Sequence, residues 1–211
     1  MQTRHVLSYL AIVLAIGPAI ACGNDDSSPP ASSAPSTKDA GATHDAGSMA
    51  GTDQTPPQGA KAVRAWLKAA AYKTWQCEPS VHAARSPSPH GFNRICSNDM
   101  ISSNYDQTGA WPKGAAAVKE LYASADATEP VGYAVYLKTA SDSAGGAHWY
   151  WYESVPLDSS APHDSAGVVA DGMGDSGAAK SICVGCHAGA GSDAAHTPSE
   201  HGRDQVYTAV Q

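Results

Sequence analysis

The chain has 211 residues and a formal charge of -7, with 13 Lys plus Arg against 20 Asp plus Glu, so it gives no electrostatic reason to bind nucleic acid. Its hydrophobic fraction of 42% is largely alanine, and it contains 20 Gly, 14 Pro and one Phe. That composition excludes a large Leu/Phe-packed core and leaves Trp and Tyr as the aromatic mass.

At the amino end, Arg4 and His5 precede an apolar run from Val6 to Ala21 that is short for a spanning helix and is interrupted by Gly17-Pro18. Residues 1–21 are therefore expected to be a signal peptide. The run ends in Ala19-Ile20-Ala21-Cys22, which resembles a bacterial lipoprotein processing site, with Cys22 acylated as the first mature residue. The alternative is cleavage nearby and export without an anchor. Both readings put the mature protein beyond the inner membrane of a Gram-negative cell, periplasmic or held at a membrane by lipid. Residues 22–58 are Ser, Pro, Ala, Gly, Asp and Thr with hardly a large apolar side chain, and so cannot offset the entropy of ordering. They are expected to be a disordered tether, and His44 and Asp45 within it are not expected to form a site.

Residues 59–211 are expected to form one α+β domain, a mainly antiparallel sheet with an N-terminal helix and a C-terminal helix. Val63, Trp66, Leu67, Ala70 and Thr74 recur at helical spacing and predict a helix ending near Gln76. Pro79, Pro87 and Pro89-His90-Gly91 predict loop, and Phe92 to Ser97 a short extended stretch. Ala115 to Tyr122, Val131 to Thr139 and His148 to Val155 read as strands, for four or five in all. The first of these puts Ala117, Lys119 and Leu121 on one face. A helix near Ala178 to His187 completes the domain.

Five cysteines in an exported chain each need a fate. Cys183-Val184-Gly185-Cys186-His187 is the c-type haem attachment pattern, in which two thiols bond the haem vinyl groups and the next imidazole reaches the iron. A redox dithiol, half of a zinc site and a plain disulfide are the alternatives. The Gly- and Ala-rich approach does not suit a thioredoxin-type unit, and His196 with His201 is poorly spaced for zinc. Cys77 and Cys96 then remain as a pair, expected to be a structural disulfide closing a loop of about 20 residues.

The position of the motif bears on function. Only 24 residues follow His187 and none is Met, whereas Met100 and Met173 lie upstream. The sixth iron position is therefore expected to be open or water-filled, which favours small-ligand chemistry over electron relay. His90 and His148 are the residues that could close it. His82, His163, His196 and His201 have no assigned role.

Four segments in order, Trp111-Pro112-Lys113-Gly114-Ala115-Ala116-Ala117-Val118-Lys119-Glu120-Leu121, Gly132-Tyr133-Ala134-Val135-Tyr136-Leu137-Lys138, Trp149-Tyr150-Trp151-Tyr152-Glu153 and the Cys183–His187 motif, resemble the cytochrome P-460 family, which includes cytochrome c-prime beta. The resemblance spans about Val63 to Thr208. It implies a dimeric, mainly antiparallel β domain with one five-coordinate haem c, acting on hydroxylamine or nitric oxide in the enzyme branch and binding NO or CO in the other. Electrons would pass to a redox partner protein. By the same resemblance Cys183 and Cys186 match the thioether cysteines, His187 the proximal iron ligand, and Lys119 the lysine whose amine is joined to the haem ring. The other reading of Lys119 is a strand-end lysine whose head reaches water. Arg94 aligns with a family arginine and is a candidate distal hydrogen-bond donor, or else an ordinary surface residue. The distal carboxylate of the enzyme branch falls at Ala134, with no Asp or Glu between Val131 and Lys138, so no proton acceptor is evident. A cap of two Phe side chains is excluded, because Phe92 stands alone.

Overall fold

The structure is a computed structural model that describes residues 55–86, 88–191 and 202–211. The signal segment, Cys22, His44, Asp45, nearly all of the tether, His196 and His201 lie outside the described residues. The first element is helix α1, Ala60–Lys68, which buries Val63 and Leu67. It is shorter than the periodicity predicts. Ala70 turns left-handed (φ 55°), so the chain continues as a single 3-10 turn at Ala71–Thr74 that buries Tyr72, while Ala70 and Thr74 face solvent.

The sheet consists of β1 Gln76–Cys77, β2 His82–Ala83, β3 Phe92–Ser97, β4 Ala116–Tyr122, β5 Gly132–Lys138, β6 Trp149–Ser154 and β7 Val168–Met173. A short helix α2, Asp99–Ser102, follows β3. The strands lie in the order β1-β3-β4-β5-β6-β7, with β2 also on β3, and every pairing is antiparallel. The sheet is larger than four or five strands. β7 was not expected, because Asp171-Gly172 interrupts its alternation and glycine is disfavoured inside strands.

Period-two alternation divides the side chains between two apolar layers. Val63, Leu67, Tyr72, Cys96, Val118, Val135, Leu137, Tyr150 and Tyr152 form the layer under α1. Ile95, Ala117, Tyr136, Trp149, Trp151, Ala170, Cys183 and Val184 belong to the other, with Trp111 and the returning tail residues Val206, Ala209 and Val210. Cys77 and Cys96 are directly opposite each other on β1 and β3 and form a disulfide.

After β7 the chain forms a π-helical segment, Ala179–Val184, that runs into α3, Gly185–His187. The segment packs on β7 and β6. Its approach is close enough to need glycine, since a Cβ at Gly174 would lie 2.2 Å from the Gly146 carbonyl and 2.7 Å from Val184. Among the described residues no helix is long and apolar enough to cross a membrane.

Candidate functional site

The strand face opposite α1 and the C-terminal helical turns enclose a cavity of about 530 Å³. Leu121 of β4, Ala134 and Tyr136 of β5, and Trp151 and Glu153 of β6 line it from the sheet. Ile182, Cys183, Cys186 and His187 line it from the helical side, and Pro89 and His90 from the loop before β3. A smaller pocket of about 40 Å³ adjoins it, sharing His90, Tyr136, Cys186 and His187 and adding Lys119, Asn93, His82 and Arg85.

The motif residues thus share one wall. Cys183 is buried, Cys186 is half-buried, and both carry free thiols. Burial pushes the Cys183 thiol up to about 12, with Glu153 adding to the shift, so it is held protonated rather than as the thiolate a redox dithiol needs. His187 lies among three aromatic rings, with centroid distances of 4.7 Å to Trp151, 5.5 Å to Tyr207 and 6.0 Å to Tyr136. Its Nδ1 is 2.6 Å from the Gln205 carbonyl, which can only accept, so Nδ1 carries a proton and donates it there.

Lys119 sits in the middle of β4, not at its end, and alternation carries its side chain to the small pocket beside Cys186 and His187. Burial pushes its ammonium down to about 8, against the opposing pull of Glu153 and Glu78. An amine so shifted is partly neutral at mildly alkaline pH and nucleophilic.

Arg94 is a correction. On β3 it pairs with Glu120 of β4, and the same alternation that brings Lys119 to the pocket sends Arg94 to the α1 side. Its guanidinium donates to Glu120 Oε2, from Nε at 2.8 Å and from a terminal nitrogen at 2.7 Å. Neither pocket includes it, so it is not a distal donor. Phe92, Met100, Met173 and His148 do not line the cavity either; His148 is half-exposed beside Asp142. His82 contacts Glu78 at 2.9 Å, and His163 is half-buried with Nδ1 on the Asp164 carbonyl.

One cavity group escaped the sequence reading. Ala134 pairs across the sheet with Glu153, so a carboxylate stands directly opposite Ala134 on β6. Glu153 Oε1 lies 3.5 Å from His90 Nδ1, and both side chains are nearly buried. The signal was the Trp-Tyr-Trp-Tyr-Glu alternation, which puts Trp149, Trp151 and Glu153 on one face, but strand register is needed to bring that face to Ala134. Trp151 adds a buried indole N–H with no partner among the described residues.

These residues fit a haem. The cavity falls within the size range of cofactor sites, its walls are mainly apolar and aromatic, and it contains two thiols, an imidazole oriented by its Nδ1 hydrogen bond and a buried indole donor without a partner among the described residues. A scan against protein-family models and a search of curated proteins find no match for this chain.

Proposed function

We propose that this chain is an exported c-type haem protein of the cytochrome P-460 kind that binds or oxidises small nitrogen compounds such as hydroxylamine and nitric oxide. Cys183 and Cys186 are the attachment thiols and His187 the proximal ligand. The observation that supports this reading is that the motif shares a single cavity with a carboxylate–imidazole pair, Glu153 and His90. Haem held there by Cys183, Cys186 and His187 would supply a redox-active iron for the oxidation of a small nitrogen compound, with a partner protein as electron acceptor. Tyr136, Trp151 and Leu121 give the cavity an apolar wall. Glu153 accepts the proton that an N–H compound gives up on oxidation, and His90 orients the carboxylate and passes the proton outward. Lys119 is the ring-linking residue of the same reading, Cys22 its lipid anchor, and a homodimer its assembly.

A second reading rests on His90 itself, which lines the cavity together with His187. If His90 as well as His187 held the iron, the protein would serve as an electron carrier; if His187 alone held it, the protein would serve catalysis or NO and CO sensing. Spectroscopy separates these outcomes. Protein produced in a host that matures c-type cytochromes is expected to give a c-type pyridine haemochrome and a high-spin ferrous form that binds NO. A low-spin ferrous form indifferent to NO favours the carrier, and a colourless protein with a Cys183–Cys186 disulfide by mass overturns the haem reading.

A further inference from the structure

The contact between His187 and the Gln205 carbonyl depends on a turn whose own sequence does not favour it. Arg203 and Val206 exchange backbone hydrogen bonds of 2.8 Å in each direction, leaving Asp204 and Gln205 as the two turn residues. Both are left-handed, with φ 41° and 72°. Two-residue turns with positive φ at both positions favour Asn-Gly or Asp-Gly, so a side chain at Gln205 works against the conformation that presents its carbonyl.

The turn is held from outside. Asp204 Oδ2 accepts from the Trp111 backbone N–H at 2.8 Å and from Lys138 Nζ at 3.0 Å. Its Oδ1 accepts from the Ser143 hydroxyl, which also receives the Trp149 indole N–H at 3.1 Å. Lys138, at the end of β5, is wholly buried and lies 5.1 Å from the centre of the Trp149 ring. On the other side of the turn, the Trp111 indole donates to the Arg203 carbonyl at 3.1 Å and the Arg203 guanidinium stacks 3.7 Å over the Trp111 ring. Removing one partner of such a buried ion pair strands the other, so the pair is an all-or-none fastening.

We infer that Asp204 is a positioning residue for the iron ligand: its pairing with Lys138 and Ser143 fixes the turn that gives His187 Nδ1–H its acceptor. This inference rests on the haem reading proposed above. An acceptor on the far nitrogen locks the ring's tautomer and orientation and raises its basicity toward a metal. A more basic imidazole stabilises ferric over ferrous iron. Loosening the turn weakens the ligand and raises the reduction potential.

The test uses the haem-loaded protein and three variants. In Asp204→Asn the iron–histidine stretch of the ferrous form, read by resonance Raman, is expected to fall in frequency. The ferric/ferrous balance should shift about tenfold, which is about 59 mV for one electron. Ser143→Ala, which removes the hydroxyl that donates to Asp204 but leaves the Lys138–Asp204 ion pair and the Trp111 backbone bond, should shift both quantities in the same direction by less. Gln205→Gly keeps the carbonyl and relieves the turn, so both should stay at parental values. An Asp204→Asn protein with intact haem and an unchanged stretch and potential overturns the inference. If that variant does not fold, an unchanged Ser143→Ala overturns it instead. A parent without haem sinks the haem reading alone. Nitrogen NMR of the haem-free parent and variants then decides, because the His187 Nδ1 proton should be retained in the parent and lost to exchange in Asp204→Asn.

Discussion

Glu153 and Ala134 face each other across β5 and β6, and that pairing decides whether the cavity contains a base. A carboxylate poised as general base contributes on the order of 10²-fold or more. Glu153→Gln is therefore expected to lower hydroxylamine-dependent reduction of an artificial acceptor by about 100-fold with haem content unchanged; unaltered turnover would exclude Glu153 as the acceptor. Lys119 makes a separate prediction. If its amine is joined to the macrocycle, the reduced parent absorbs far to the red of ordinary haem c, and Lys119→Ala restores the ordinary spectrum while keeping the pyridine haemochrome. A parent with an ordinary reduced spectrum would show that Lys119 is only a wall of the pocket. At this scale the sequence alone brought Cys183, Cys186 and His187 together and put Lys119 on one face of its strand with Ala117 and Leu121, because a contiguous motif and strand alternation are local properties. It was misleading about Arg94, where alignment in sequence concealed the opposite strand face.

β4 is the element on which the two layers meet. Its odd residues Ala117, Lys119 and Leu121 serve the cavity side, while Glu120 carries charge into the α1 side and is fully buried. Burial alone would raise the Glu120 carboxyl, but hydrogen bonds from Lys73, Tyr72 and Tyr122 and the charge of Arg94 more than reverse this and hold it below the ordinary 4.5. A carboxyl lowered in the folded state lends stability that is complete above its ordinary value and is lost as pH falls through the lowered one. Glu120→Gln should cost about 2 kcal/mol at neutral pH, and its stability should vary less with pH below 4.5 than the parent's in urea titrations. An equally steep acid dependence would assign the effect to other groups. The β1–β3 crosslink acts on the unfolded chain instead. With a separation of 19 residues, Cys77→Ser with Cys96→Ser should lower unfolding free energy by ~3 kcal/mol, and a much smaller loss would mean that the edge strand orders independently.

Over the whole described domain, one apolar layer is complete within the protein and the other surrounds the 530 Å³ cavity. A macrocycle tethered to Cys183 and Cys186 would be removed from water in the cavity only when the chain is folded, so the haem-bearing protein should melt at least ~5 °C above a Cys183→Ala, Cys186→Ala variant that cannot attach haem. Equal midpoints in calorimetry would mean that the cavity is not where haem is held. Local sequence information was sufficient for α1's first two turns and for strands β3, β4, β5 and β6, since helical periodicity and alternation operate over a few residues. It overran α1, where a left-handed Ala70 ends the helix, and it missed β7, whose glycine masks the strand pattern. Other features existed only after folding: the face on which Arg94 lies, the meeting of Glu153 with His90, and the strained turn at Asp204 and Gln205 fastened by Lys138. Each of these joins residues far apart in the chain, and such pairings depend on strand register and on the path of the returning tail, which no local pattern encodes.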